Sequence, residues 1–310
     1  INFVTITDSS VLNSREEFFM QPREFIFRLS LCPGLGPLSR VRLWRVAEQN
    51  YCFDNLELLT SQSQITPRVK ESLLKNWASP YLDRLVEQNY RVPQITLLDP
   101  DYPAILREIY CPPLVLYYQG NRDLFKMPAL AVVGSRQATS YGFTVLEKLI
   151  PSVVNHRIAI VSGLARGIDS RSHEQALASG GAVIGVIGTG LDQTYPRSNG
   201  ALQAQVADQG LLLTEYPLQT PPLPSHFPAR NRIIAGLCQT CLVVEAKQQS
   251  GSLITANLAL QENRNVCAVP GPITSPTSLG TNELISEGAQ PILNSKDLLA
   301  EFDPGFEAEA

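Results

Sequence analysis

From about residue 130 onwards, short apolar runs rich in β-branched residues alternate with longer amphipathic stretches. The runs at 130–133, 158–161, 183–187, 211–214, 242–244 and 266–269 have the length and bounding turn signals of buried strands. Helical patterns fill the intervals, and strands separated by helices of that length predict a mostly parallel, doubly wound α/β sheet of extended Rossmann-like type. Two further strand signals, at 95–98 and 114–118, have no long helix after them. They are expected to extend or flank the main sheet rather than form βαβ units.

Upstream the period changes to that of helices. Phe25, Ile26 and Leu29 recur at helical spacing, and Val69, Leu73, Leu74, Trp77, Leu82, Leu85 and Val86 do so from 67 to 88. This predicts a small all-helical domain over 1–90, with uncertain structure before about Arg23. The main domain then covers 91–302, and an acidic tail covers 303–310. Between 31 and 46 a Gly34-x-Gly36 turn feeds a second helix and resembles a helix-hairpin-helix unit, with Arg40, Arg42 and Arg45 just beyond. Such a turn can present N–H groups to a nucleic-acid phosphate. It can equally be a tight connection with a solvated basic face.

The residues just past each strand are more informative than the strands themselves. Gly134-Ser135-Arg136 stands after the first, Ser162-Gly163 and then Arg166 after the second, and Gly188-x-Gly190 with Arg197 further on after the third. Glu215 stands after the fourth. In a parallel sheet these turns open on one edge, where ligands bind. The stretch 226–256 concentrates the pattern: it reads as a basic loop carrying Arg230, Asn231 and Arg232, a buried strand, and a Ser250-Gly251-Ser252 turn. There Ser252 could cap the next helix and direct its positive dipole end towards an anion. Arginines at 136, 166, 197, 230 and 232 would bring charge to the same rim, giving an extended anion-binding surface.

Composition narrows the partners. A net charge of −4 over 310 residues excludes nucleic-acid binding through a general basic surface, so an anionic partner must meet a local cluster. No apolar run approaches bilayer length, and the opening INFVTITDSS lacks the basic and apolar regions of a secretory signal, so a cytoplasmic, membrane-free protein is expected. Six scattered cysteines do not form a secreted disulfide framework. Cys238 and Cys241 form a lone C-x-x-C without a second pair at zinc spacing, for which a structural role is expected.

Catalytic readings find little support. Gly188-x-Gly190 lacks the third glycine of a dinucleotide fingerprint, since Gln193 stands there. Ser162 sits in a strand-to-helix turn without the flanking glycines of a nucleophile elbow, and His173 or His226 would have to serve as its base. Asp169 stands at a helix start and reads as an N-terminal charge or cap. Glu215 and Glu245 follow apolar strands and could be catalytic carboxylates or could hold neighbouring arginines. The expectation is therefore no catalytic residue, no metal and no cofactor.

Seven motifs in order carry a family likeness: VVGSR (132–136), SGLARGID (162–169), GTGLDQTYPRSN (188–199), FPARNRIIAGL (227–237), VVEAKQQSGSLITA (243–256), VPG (269–271) and GTNELISEGA (280–289). Together they resemble the DNA-processing protein A family, DprA or Smf, over roughly 95–293, and the segment before Tyr90 resembles that family's helical N-terminal domain. The resemblance implies a non-enzymatic protein that binds and protects single-stranded DNA and helps load a RecA-type recombinase on it during natural transformation, acting as a homodimer. It implies phosphate contacts from Arg136, Arg166, Arg197, Arg230 and Arg232, with Gly134, Ser135, Ser162, Gly163, Asn231, Ser250, Gly251 and Ser252 completing the DNA-binding set. Two departures are visible. Many members continue into a winged-helix domain where this chain has its acidic tail, and Thr281 stands where cysteine is more usual. The alternative is a Rossmann-type enzyme on a nucleotide, such as a nucleoside-monophosphate phosphoribohydrolase. That class carries a PGG-x-GT-x-x-E signature, of which only Pro270-Gly271-Pro272 and the distant Gly280-Thr281 are present.

Overall fold

The computed structural model describes residues 20–302. The opening segment and the acidic tail expected over 303–310 lie outside the described residues.

Five helices come first: α1 (Pro22–Leu31), α2 (Pro37–Asn50), α3 (Leu56–Gln62), α4 (Pro67–Trp77) and α5 (Pro80–Tyr90). Proline opens α1, α2, α4 and α5, where its missing N–H costs nothing, and the Thr66 and Ser79 side chains cap α4 and α5. The pattern over 67–88 is therefore two helices, broken at the Ser79-Pro80 cap. Helix α3 is too short to give a clear periodic signal. Phe25 sits at the centre of this layer, its ring 5.5 Å from Trp77 and 5.6 Å from Phe53. The turn between α1 and α2 needs a glycine: Gly34 has φ +79°, and a methyl there would come within 2.9 Å of Ser72 Cβ on α4.

The strands are β1 (Gln94–Thr96), β2 (Val115–Gly120), β3 (Ala129–Val133), β4 (Ala159–Ser162), β5 (Val183–Val186), β6 (Leu211–Thr214), β7 (Thr240–Val243), β8 (Asn265–Ala268) and β9 (Gln290–Pro291), with the short helix α6 (Ala104–Arg107) between β1 and β2. They form one nine-stranded sheet in the order β1-β2-β6-β5-β4-β3-β7-β8-β9. The pairs from β6 to β9 are parallel, and β1 and β2 add antiparallel at one edge, extending the sheet. The connecting helices are α7 (Ser140–Asn155), α8 (Ile168–Ala178), α9 (Gly200–Gln209), α10 (His226–Leu237), α11 (Gly251–Gln261), α12 (Leu279–Ser286) and α13 (Ser295–Leu299).

Both faces of the sheet are covered, which is why the strands read as continuous apolar runs. Ala131 and Val133 pack with α10 and α11 residues on one face, while Leu130 and Val132 pack with α7 and α9 on the other. A third apolar cluster joins the five helices to β2 through Leu114, Val115 and Tyr117. Asn89 also accepts the Leu218 N–H at 2.9 Å, tying α5 to the loop after β6.

Two local expectations are corrected. The basic stretch around Arg230 is helix α10 and not a loop. Pro228 falls in its first turn, where no N–H is required, and the arginine side chains turn inward. Helix α11 starts at Gly251, so Ser250 occupies the cap position and Ser252 lies inside the first turn. The two serine hydroxyls bond each other at 2.8 Å, and no side chain caps the helix.

Candidate nucleic-acid interface

The chain runs β3, β4, β5, β6 in one direction across the sheet, then returns to place β7 on the other side of β3. The carboxyl ends of β3 and β7 therefore border the crevice that such a reversal opens. Gly134-Ser135-Arg136 leaves one side of it, and Lys247 and Ser250-Gly251-Ser252 lie on the other. Between them is a cleft of about 530 Å³, also lined by Asp169, Phe227, Arg230, Asn231 and Thr255. Gly134 is fixed by packing, because a methyl there would lie 2.6 Å from Ile168 Cγ1 of α8. The uncapped first turn of α11 faces the cleft with its positive dipole end.

The expected arginines divide by burial. Arg136 is exposed, its guanidinium 5.8 Å from the Phe227 ring centroid in a cation–π contact. Arg230 is 4% exposed and reaches from α10 under the β4–α8 turn, donating to the Val186 carbonyl. It lies against Gly163, where a methyl would stand 2.6 Å from its Cζ. Burial lowers the Arg230 pKa to about 10, with Asp169 opposing the fall, so it remains a cation at neutral pH. Burial likewise raises the Asp169 pKa, against the pull of Arg230 and of the Gly163 N–H it accepts at 3.2 Å.

Arg232 is placed elsewhere. Its Nε donates to the Cys111 carbonyl at 2.8 Å, and its other two nitrogens reach the Ala229 carbonyl at 2.9 Å and Glu215 Oε1 at 2.7 Å. Burial disfavours its charge, but Glu215 outweighs this and its pKa lies above the usual arginine value. All three nitrogens serve the interior. Ser162 is also internal: fully buried, it donates to the Val132 carbonyl at 2.6 Å, and so fixes β4 to β3. Gly163 lies against the Arg230 guanidinium, while Arg166 and Arg197 are exposed on the neighbouring rim, outside the cleft lining.

The carboxylates resolve similarly. Glu215 holds Arg232, but Glu245 holds threonines. It accepts the Thr139 N–H at 2.8 Å, the Thr139 hydroxyl at 2.6 Å and the Thr277 hydroxyl at 3.0 Å, at the amino end of α7. His173 is fully buried with neither ring nitrogen in a well-formed hydrogen bond, and burial lowers its pKa to about 4 against a weak pull from the Ser162 backbone. Cys238 and Cys241 are buried free thiols, and the described residues contain no cluster suited to a metal.

Lys247, Gln137 and Asp169 enter the lining without having been singled out for it. The Lys247 Nζ donates to Gln137 Oε1 at 3.3 Å, linking the turns after β7 and β3. Their signal was positional: Gln137 and Lys247 stand shortly past strand ends, and Asp169 stands in the first turn of the helix after β4. At the cleft wall the Phe227 ring lies 5.1 Å from that of Tyr195, tilted by 36°; Tyr195 is 44% exposed, and Arg197 comes two residues later. Asn199 ties that turn back, donating to the Leu164 carbonyl at 3.0 Å.

Fold and site together define a Rossmann-like α/β protein with an anion-receptive cleft at its strand-order reversal, bordered by an aromatic surface. Residues 94–303 match the family model described as DNA recombination-mediator protein A, and the chain belongs to that family. It is 48% identical over 219 residues to the DNA processing protein DprA of Streptococcus pneumoniae, covering 71% of this chain and 77% of that one. Protein Smf of Synechocystis is 44% identical over 221 residues, covering 70% of this chain and 56% of its own length. Among solved structures, S. pneumoniae DprA superposes with a TM-score of 0.84 at 39% identity, covering 92% of this chain and 99% of that chain. A Helicobacter pylori structure, described as showing the single-stranded DNA binding mode of DNA processing protein A, gives 0.61 at 30% identity, covering 68% and 96%. No helix among the described residues is long and apolar enough to cross a membrane.

Proposed function

We propose that this protein binds single-stranded DNA along the carboxyl edge of its sheet, protects it, and helps load a RecA-type recombinase on it as a cytoplasmic homodimer, without catalysing a reaction. The observation that carries the DNA-binding part is the convergence of Arg136, the buried cation Arg230 and the uncapped end of α11 on one cleft. A phosphate there would meet two fixed charges and several backbone donors at once. The Phe227–Tyr195 pair alongside offers π-faces to unpaired bases, which a duplex keeps stacked inside. The single-strand binding described for the H. pylori relative supports the same reading.

The phosphoribohydrolase alternative needs an unengaged carboxylate at a strand end. Glu215 and Glu245 are both committed to structural partners, which favours the binding role. A direct test sets a labelled thymidine oligonucleotide against a duplex of equal length, and incubates the same sample with nucleoside monophosphates. Preference for the single strand with no release of free base is expected. Equal affinity for the duplex, or base release lost in Asp169→Asn, would replace this reading with the enzymatic one.

A further inference from the structure

The three arginines after the α1–α2 turn do not share one fate. Arg42 donates to the Gln64 carbonyl at 2.8 Å and Arg45 to the Tyr110 carbonyl at 3.1 Å, so both fasten the helical region together or to its neighbour. The Arg40 side chain makes neither a hydrogen bond nor an ion pair with any described residue, and its Nε is buried. Its helix packs on Tyr117 of β2, which pairs with Thr214 at the end of β6, and Glu215, Cys32, Tyr117 and Tyr216 are the charged and titratable groups around Arg40 in this seam. Glu215 is already held by Arg232, so the seam carries one guanidinium more than it has carboxylates. A partly buried cation left in that state is expected to take an anionic partner.

The seam is continuous with the cleft. Tyr216 stacks on His226 at 4.1 Å, and the adjoining Phe227 touches both Tyr195 and Arg136. From the end of β7 to the end of β6 is four strand intervals, about 19 Å. Arg40 stands beyond β6 on the same edge as the cleft, because Glu215 comes directly after β6.

We propose that the seam is a second phosphate subsite, in which Arg40 of the helical region receives the backbone of the same single strand whose upstream or downstream phosphate occupies the cleft. This rests on the DNA-binding reading above and adds the helical region to the binding surface. A strand confined to the cleft would not reach Arg40, and a longer strand would.

The experiment measures binding of thymidine oligonucleotides from about 4 to about 16 nucleotides, the range of site sizes in single-strand binders, as a function of salt. Wild type is compared with Arg40→Met, which keeps the apolar stem, and Arg40→Lys, which keeps the charge. For the long strands Arg40→Met should reduce the slope of log affinity against log salt by about 0.7, the value of one phosphate on a single strand, and Arg40→Lys should restore it. The shortest strands should not distinguish the three proteins. Unchanged slopes at every length, or an equal loss at every length, would overturn the subsite. If Arg40→Met does not fold, wild type alone decides against it should its slope stay constant from the shortest strand to the longest. Failure of wild type to bind any single strand would overturn the underlying reading together with the subsite.

Discussion

Replacing Gly163 by alanine sets a methyl group against the guanidinium of Arg230, 2.6 Å from its Cζ. Gly163 directly follows β4, whose backbone is paired with strands on both sides, so the arginine head is what moves. Moving it breaks its bond to the Val186 carbonyl, a charged hydrogen bond in a buried site worth about 1.5–3 kcal/mol. In a domain of roughly two hundred residues each kcal/mol lowers Tm by about 2–4 °C, so Gly163→Ala should cost about 3–12 °C. The same displacement removes a fixed cation from the cleft and should weaken single-strand binding roughly ten- to hundredfold. Thermal denaturation and fluorescence anisotropy measure the two effects. Gly251→Ala is the control, since nothing lies within 4 Å of its added methyl, and its stability should change by less than about 1 kcal/mol. Equal stability and equal DNA affinity for Gly163→Ala and wild type would refute the assignment of Arg230 as a seated cation beneath the cleft.

The buried groups have further consequences. Arg232→Ala should destabilise by about 3–5 kcal/mol in chemical denaturation, because Glu215 is left buried and unpaired, while the salt slope of DNA binding stays unchanged. Glu245→Ala leaves three donors unpaired, two from Thr139 at the start of α7 and one from Thr277, and should cost about 2–4 kcal/mol by the same assay. His173 is neutral in the folded protein, with its pKa lowered by burial to about 4 from 6.5, so the unfolded chain binds the extra proton between those values. Stability should therefore be fully present above pH 6.5 and fall by about 3 kcal/mol as pH drops towards 4. In His173→Leu this fall should be absent, and little stability should be lost at pH 7.5, because neither ring nitrogen has a well-formed hydrogen bond to lose.

The central parallel strands were legible because they are buried on both faces and read as apolar runs ended by small or polar residues. The rim was legible for the same reason, since residues just past such runs must lie on one edge. The fate of individual arginines was not. Arg230 and Arg232 are two residues apart on α10, yet one lines the cleft and the other is consumed by Glu215, Cys111 and Ala229. That division depends on helix phase, and the polar sequence with Pro228 reads as a loop. Strand β9 spans two residues and α3 seven, too short for periodicity to register. The cleft position needs the order β4-β3-β7, which no local pattern contains. The role of Glu245 depends on Thr277, 32 residues further on.

If Arg136 and the cleft at the ends of β3 and β7 hold DNA phosphates, the salt dependence of single-strand binding must change when that guanidinium is removed. The comparison is wild type against Arg136→Ala, over a range of salt and of base sequence. Affinity should be lower for Arg136→Ala across all base sequences alike, with a slope against log salt reduced by about 0.7. Identical affinity and slope in the two proteins at low salt would contradict phosphate binding at this cleft.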